Sequence, residues 1–242
     1  MYRIAIPTHR RHNTIQDLTL NVLKDMDCGI DLFISDEHDY DLYSQHLPMN
    51  NLILTNTNSV CDKFNFVQNY YDEGAFIFVM EDDIKEIKSL QKYETKKIFD
   101  MIYNFCKNNH IQCAGVYPSS NDFYMKKTID IGSTYIVANL FAFTSKKDDR
   151  LNCALKTKND YERSVKYAQV YGKIARFNFI SCKTNNYTNK GGMQTENTRQ
   201  QDELEASKQL IQMYPSIFDI NTKRKSKYTE LTMKKNYKQI KL

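Results

Sequence analysis

The chain has 242 residues, with 34 Lys and Arg against 29 Asp and Glu, a formal net charge of +5. The excess is local: residues 221–242 hold eight basic residues and one acid, a charge of +7, and the first 220 hold 26 and 28, a charge of −2. That partition excludes a uniformly basic coat protein and leaves open contact between the basic end and nucleic acid or an anionic membrane surface.

An apolar content of 41% and an aromatic content of 12% point to a globular chain rather than a disordered one. The length suits one large domain or two small ones. Seven Gly and four Pro are too few for a loop-rich all-β protein. Met1–Arg11 has no long apolar run, so no signal peptide is expected. No segment approaches ~18 apolar residues, so no membrane insertion is expected. The six cysteines form no C-x-x-C pair and read as buried, reduced thiols.

In chain order, Tyr2–Pro7 reads as a strand. Thr14–Met26 reads as a helix, with Ile15, Leu18, Val22, Leu23 and Met26 on one face, Asn13 or Thr14 as cap and Gly29 just beyond. Asp31–Ser35 and Asn51–Leu54 read as strands, and Ser59–Tyr71 as a helix. Ala75–Met80 is a continuous apolar run, the pattern of a strand buried on both faces. Lys96–Asn108 follows as a helix, then strands at Gln112–Tyr117, Tyr135–Thr144 and Lys173–Ile180. Asp160–Tyr171 and Gln200–Met213 read as helices. This rhythm predicts an α/β domain over residues 1–220: a mostly parallel central sheet flanked by helices, with a mixed second half. Residues 221–242 read as a basic C-terminal tail.

The buried strand at Ala75–Met80 ends in Glu81-Asp82-Asp83. Open α/β sheets bind ligands beyond the carboxyl ends of their strands. Three adjacent carboxylates repel one another, and partial burial sharpens the repulsion. A solvated turn would relieve it; so would a hard divalent cation, Mn²⁺ or Mg²⁺. If the chain stays extended, Glu81 and Asp83 share one side and Asp82 takes the other. Arg10 and Arg11 offer guanidinium groups to phosphate. Asn159-Asp160-Tyr161-Glu162 opens a helix, where Asn159 or Asp160 caps and Glu162 favours the dipole. Gly191-Gly192 follows the polar residues Asn185, Asn186, Asn189 and Lys190, and marks either a tight turn or close backbone approach to a ligand.

The opening Ile4-Ala5-Ile6-Pro7-Thr8-His9-Arg10-Arg11 resembles the I-P-S/T-x-x-R start of nucleotide-sugar glycosyltransferases of the GT-A fold. Glu81-Asp82-Asp83 resembles their D-x-D motif, with Glu replacing the usual first Asp. With Ser59–Tyr71, the Asn159–Glu162 patch and Asn189–Met193, the layout is similar to DNA-base glycosyltransferases associated with TET/JBP-type oxygenases, and it spans most of residues 2–200. The resemblance implies a nucleotide-sugar pocket of Pro7, Thr8, Arg10, Arg11, Asp82, Lys190, Gly191 and Gly192. It implies a metal held by Glu81 and Asp83, with Asp160 or Glu162 as catalytic base. The five histidines all precede residue 111, so the late His ligand of some family members is missing, and weak, substrate-dependent metal binding is expected.

The resulting expectation is a glycosyltransferase moving a sugar from a nucleotide sugar, UDP-glucose or another UDP-sugar, to a hydroxyl. The favoured acceptor is a 5-hydroxymethyl pyrimidine in DNA, such as 5-hydroxymethylcytosine. Lys223, Arg224, Lys225 and Lys227 would contact its phosphates. Rich Asn, Lys, Ile and Tyr usage without Trp fits an AT-rich genome such as a bacteriophage's, with a cytoplasmic site of action (the host's if viral). A surface polysaccharide or small glycan is the rival acceptor. A nonenzymatic DNA-binding module is the rival class, and it leaves the acid cluster unexplained. Oligomeric state is not legible in the sequence.

Overall fold

The computed structural model describes residues 1–47, 51–184, 196–222, 228–234 and 236–241. It begins with β1 (Tyr2–Thr8), a π-helical turn (Gln16–Leu20), β2 (Ile30–Ile34), α1 (Glu37–His46), β3 (Asn51–Leu54), α2 (Val60–Tyr70) and β4 (Phe76–Met80). There follow β5 (Ile84–Ser89), α3 (Thr95–Asn109), β6 (Cys113–Tyr117), β7 (Thr128–Ser133) and β8 (Leu140–Thr144). The chain then runs through α4 (Asn159–Tyr171), β9 (Ile174–Thr184), α5 (Glu196–Met213), β10 (Phe218–Ile220), β11 (Leu231–Met233) and β12 (Asn236–Lys241).

Among the described residues, ten strands form one sheet in the order β12-β7-β9-β6-β8-β4-β1-β2-β3, with β5 paired to the far end of β9. The run β3-β2-β1-β4 is parallel throughout. The other half is mixed: β8 lies antiparallel between β4 and β6, and β6 pairs in parallel with β9. Alternation along β4 divides the core. Phe76, Phe78 and Met80 pack with Phe99 and Ile102 of α3, and Ile77 and Val79 pack with Val67 of α2 and Tyr167 of α4. Helices thus cover both faces, as the α/β pattern requires. None of the six cysteines is bridged, and four are buried. Among the described residues no helix is long and apolar enough to cross a membrane.

β5, β7 and β10 are not anticipated by the sequence pattern, and four further elements differ from it. The expected helix over Thr14–Met26 is broken into a π-helical turn in which Leu18 leaves helical geometry (φ −105°, ψ −105°). Thr19 explains the break: its hydroxyl donates to the Glu81 carbonyl at 2.8 Å and accepts the Ile84 N–H at 2.9 Å. Bulges of this kind re-aim a side chain at a fixed neighbour. The strand expected over Tyr135–Thr144 begins only at Leu140, because the Ile136 N–H is drawn to Ser164 Oγ of α4 at 2.9 Å. Helix α1 carries little apolar periodicity and was not expected; Asp36 caps it by accepting the Asp39 N–H. Finally, the described part of 221–242 is built into the fold rather than hanging free. Leu231 joins a small core with Phe218 and Leu210, β12 pairs with β7, and Gln239 Nε2 donates to the buried Asp130 at 2.7 Å.

Because Thr19 ties both ends of the acid turn, Thr19→Val should leave one carbonyl and one N–H unsatisfied at equal volume. Urea unfolding should show a loss of about 1–3 kcal/mol. An unchanged midpoint would mean that the turn does not need this tie.

Candidate active site

β1 and β4 lie side by side and parallel, so Thr8 and Glu81 emerge at the same sheet edge. After Met80 the Glu81 N–H donates to the Asn139 carbonyl at 3.1 Å, and the chain turns at Asp82-Asp83 into β5. The chain does not stay extended through the three acids, so the alternation that extension would give does not form. The turn instead buries both Asp82 and Asp83 to 6% exposure.

Arg11 meets them there. Its Nη1 donates to Asp82 Oδ1 and lies 3.2 Å from Asp83 Oδ2. Thr8 Oγ1 donates to Asp82 Oδ2 at 2.7 Å and shares a short hydrogen bond with the Tyr43 hydroxyl, which in turn accepts the Arg11 N–H at 3.1 Å. Asp82 is thus held on both oxygens, while Asp83 Oδ1 is buried with no partner. Arg10 is exposed and left-handed (φ 54°), and its N–H is pinned by Asp39 Oδ2 at 2.9 Å. Asp39 also lies 3.3 Å from His9 Nδ1. Pro7 sits within β1 opposite Phe33 of β2.

Lys63 props this loop from below. It is 2% exposed, and its Nζ donates to the Thr8 carbonyl and to Ser35 Oγ, each at 2.5 Å. Burial pulls its amine down to about 8, against the opposing pull of Asp82, Asp39 and Asp36. Burial also pushes the Glu81 carboxyl up to about 8, helped by the charges of Asp83, Asp82 and Asp160, with Arg11 opposing. Burial raises Asp82 as well, although Arg11 and Thr8 restrain it.

The remaining expected residues divide. Asp160, in the first turn of α4, accepts the Tyr135 hydroxyl at 2.5 Å and the Tyr161 N–H at 3.0 Å. Its charge is felt at Glu81. Glu162 is 1% exposed and engaged elsewhere. It accepts the Ala154 and Leu155 N–H groups at 2.9 and 3.0 Å and pairs with Lys166 Nζ at 3.0 Å. Neither Asn159 nor Asp160 is the cap of α4; left-handed Lys158 precedes it with no side-chain cap. Lys190, Gly191, Gly192, Lys223, Arg224, Lys225 and Lys227 lie outside the described residues.

Sequence reasoning missed Thr19, Asp39, Tyr43 and Lys63. Lys63 left a readable trace, since it stands four residues before Val67 on the buried side of α2. Asp39 and Tyr43 were hidden by the weak pattern of α1.

The donor set accommodates a divalent cation only in part. Asp83 offers an orphaned buried oxygen and Glu81 a carboxyl that would release its proton to a cation. Among the described residues no group of three or more His, Cys, Asp or Glu is disposed to hold a metal. The remaining oxygens would have to come from substrate and water.

No family model and no curated protein matches the chain. Among solved structures, one described as a mycobacterial protein is 6% identical, spans all of this chain and 83% of its own, and superposes with a TM-score of 0.54. A CMP:2-keto-3-deoxy-manno-octonic acid synthetase complexed with CTP is 10% identical over 86% of this chain and 100% of its own, with a TM-score of 0.48. A UDP-glucose pyrophosphorylase complexed with UDP-glucose is 6% identical over 76% and 92%, with a TM-score of 0.44. At such identity a likeness concerns the fold alone. The mycobacterial protein shares this α/β architecture; the other two superpose less well and add nothing to that.

A carboxyl that is more basic folded than free binds its proton more tightly in the native state, so stability falls as pH rises between the two values. For Glu81 that window runs from about 4.5 to about 8. Glu81→Gln, unfolded in denaturant with a metal chelator present, should match the parent near pH 4.5 and gain stability steadily up to pH 8. A gain that does not depend on pH would contradict the raised carboxyl.

Proposed function

We propose that this protein is a transferase acting on a nucleotide sugar, with the diphosphate bound at the Arg11–Asp82–Asp83 turn. The observation that carries this reading is the buried Asp83 with one unpartnered oxygen, set at the ends of two parallel strands within electrostatic reach of Asp160. A buried acid turn that needs Arg11, Thr8 and Thr19 to hold it lowers stability, and sites that do so are commonly functional.

Asp83 and Glu81 would hold Mn²⁺ or Mg²⁺. When bound, the cation would supply Lewis-acid charge against the diphosphate. Asp82 orients Arg11 and Thr8 rather than meeting substrate, since both its oxygens are engaged. Arg11 faces the negative charge of the leaving group, and exposed Arg10 reaches the nucleotide beside Pro7. Lys190, Gly191 and Gly192 would close over the diphosphate. Asp160 takes the acceptor proton as the acceptor oxygen bonds to the anomeric carbon. The carbon–oxygen bond to the diphosphate breaks, and its electron pair leaves with the nucleoside diphosphate. Glu162 is left to fix α4 to the 152–155 loop. UDP is the nucleotide we favour.

Glycosyl transfer fits better than nucleotidyl transfer. Loops that cradle a triphosphate present free backbone N–H groups, whereas here the Arg10 and Arg11 N–H groups are taken by Asp39 and Tyr43. The favoured acceptor is a 5-hydroxymethyl pyrimidine in DNA. Besides Lys223, Arg224, Lys225 and Lys227, one surface supports it: the loop after β6 carries Phe123 (85% exposed) and Tyr124 (54%), next to exposed Lys126 and Lys127. Adjacent aromatic and basic groups suit an unstacked base and its phosphates. That loop leaves the same sheet edge as the acid turn, because β4 and β6 both run antiparallel to β8.

Release of nucleoside diphosphate, with Mn²⁺ and a panel of nucleotide sugars, tests the reaction. Asp160→Asn should lower kcat by ~10²–10⁴-fold with little change in KM for the nucleotide sugar. Full activity in that variant would remove Asp160 from the chemistry, and no turnover of any nucleotide sugar by the parent would remove the transferase reading. With hydroxymethylated DNA as acceptor, replacing Phe123 and Tyr124 together by Ala should raise KM for DNA at least tenfold and leave donor hydrolysis intact. Equal KM values would favour the glycan acceptor.

A further inference from the structure

Arg163 of α4 is 4% exposed, with its guanidinium carbon 3.6 Å from the ring centre of Phe141 and 5.6 Å from that of Phe64. Its Nε and Nη2 are buried and have no acceptor. These two N–H groups form one edge of the guanidinium plane. Arg3 uses that edge to grip Asp31 at 2.8 and 2.5 Å, and Arg150 uses it to grip Asp148 at 2.9 and 2.6 Å. In Arg163 the same edge is empty-handed.

Among the described residues no protein group accepts a hydrogen bond from that edge. Arg163 lines a small cavity with Asn65, Gln68, Val79, Phe143, Cys153 and Asn159. The Asn65 amide is engaged at both ends by the Cys153 backbone. Gln68 is engaged by Asn152 and Tyr167. Glu162 and Asp160, the acids nearest in sequence on α4, are held by Lys166 and two backbone N–H groups, and by Tyr135 and the Tyr161 N–H, respectively. A buried cationic donor left without an acceptor is costly, more so than a neutral one.

Size then selects the ligand. The cavity's free volume is about 10 Å³, room for a single water-sized particle. Phosphate, a nucleotide or a carboxylate-bearing metabolite does not fit. We propose that Arg163 Nε and Nη2 hold a small monatomic anion, chloride, in this cavity between α2 and α4. The two rings screen the guanidinium from water and so strengthen its attraction for a negative ion. The site stands apart from the proposed transferase reaction, although it braces α4 one turn from Asp160.

Thermal unfolding of the full chain in sodium chloride, bromide or gluconate at constant ionic strength tests the site. Chloride and bromide should raise Tm saturably above gluconate, and Arg163→Gln should abolish the difference. A crystal soaked in bromide should show an anomalous peak at the Nε/Nη2 edge, which decides the question even if the variant fails to fold. Equal Tm in halide and gluconate, with no bromide peak, would show that the edge binds water and would overturn the proposal.

Discussion

Two carboxylates buried at the mouth of one strand need a cation, and Arg11 is the cation they have. Asp82 and Asp83 are each 6% exposed, and an unpaired charge at such depth is not tolerated. Removing one partner from a buried pair typically costs about 3–5 kcal/mol. The geometry that delivers Arg11 therefore governs the rest of the site. Its N–H is fixed by Tyr43, the preceding residue by Asp39, and the strand end beneath by Lys63. Charge left over on the far side is absorbed differently: Glu81 retains a proton to about pH 8.

This arrangement makes the acid turn a poised element rather than a saturated one. Both oxygens of Asp82 are engaged, by Thr8 and Arg11. Asp83 and Glu81 keep unused capacity, one as an orphaned oxygen and one as a protonated carboxyl whose proton a cation could displace. A ligand bringing positive charge would use both, and a diphosphate accompanying it would meet Arg11. Helix α4 carries Asp160 in its first turn and is tied to Tyr135 and Ile136 through Asp160 and Ser164.

Much of the parallel half of the sheet was legible because β4 is apolar on both faces, β1 is mostly apolar and α2 is spaced for one face; β1, β3, α2 and β4 follow the sequence pattern within a residue or two. The acid cluster was legible because three carboxylates after an apolar run are conspicuous. Tertiary contacts account for what was not. Thr19 breaks a well-patterned helix for two hydrogen bonds to residues more than sixty positions away. Helix α1 is held by its cap and by Tyr43 rather than by an apolar stripe. The C-terminal basic stretch looked like a tail because its charges dominate its composition. Yet β12 alternates little and is held by ladder pairing with β7 and by Gln239 on Asp130. The net charge therefore does not separate cleanly into a body and a free end: Lys238 and Lys241 decorate a sheet edge, and Lys234 lies 3.5 Å from Asp219.

The central claim is that the Glu81–Asp83 turn binds a divalent cation together with a nucleotide diphosphate, and neither strongly alone. Calorimetric titration of Mn²⁺ into the protein, with and without a saturating UDP-sugar, measures this directly. The account predicts weak binding alone and a much stronger, Asp83-dependent binding when the nucleotide sugar is present. Tight Mn²⁺ binding without nucleotide, or no Mn²⁺ binding in either case, would contradict it.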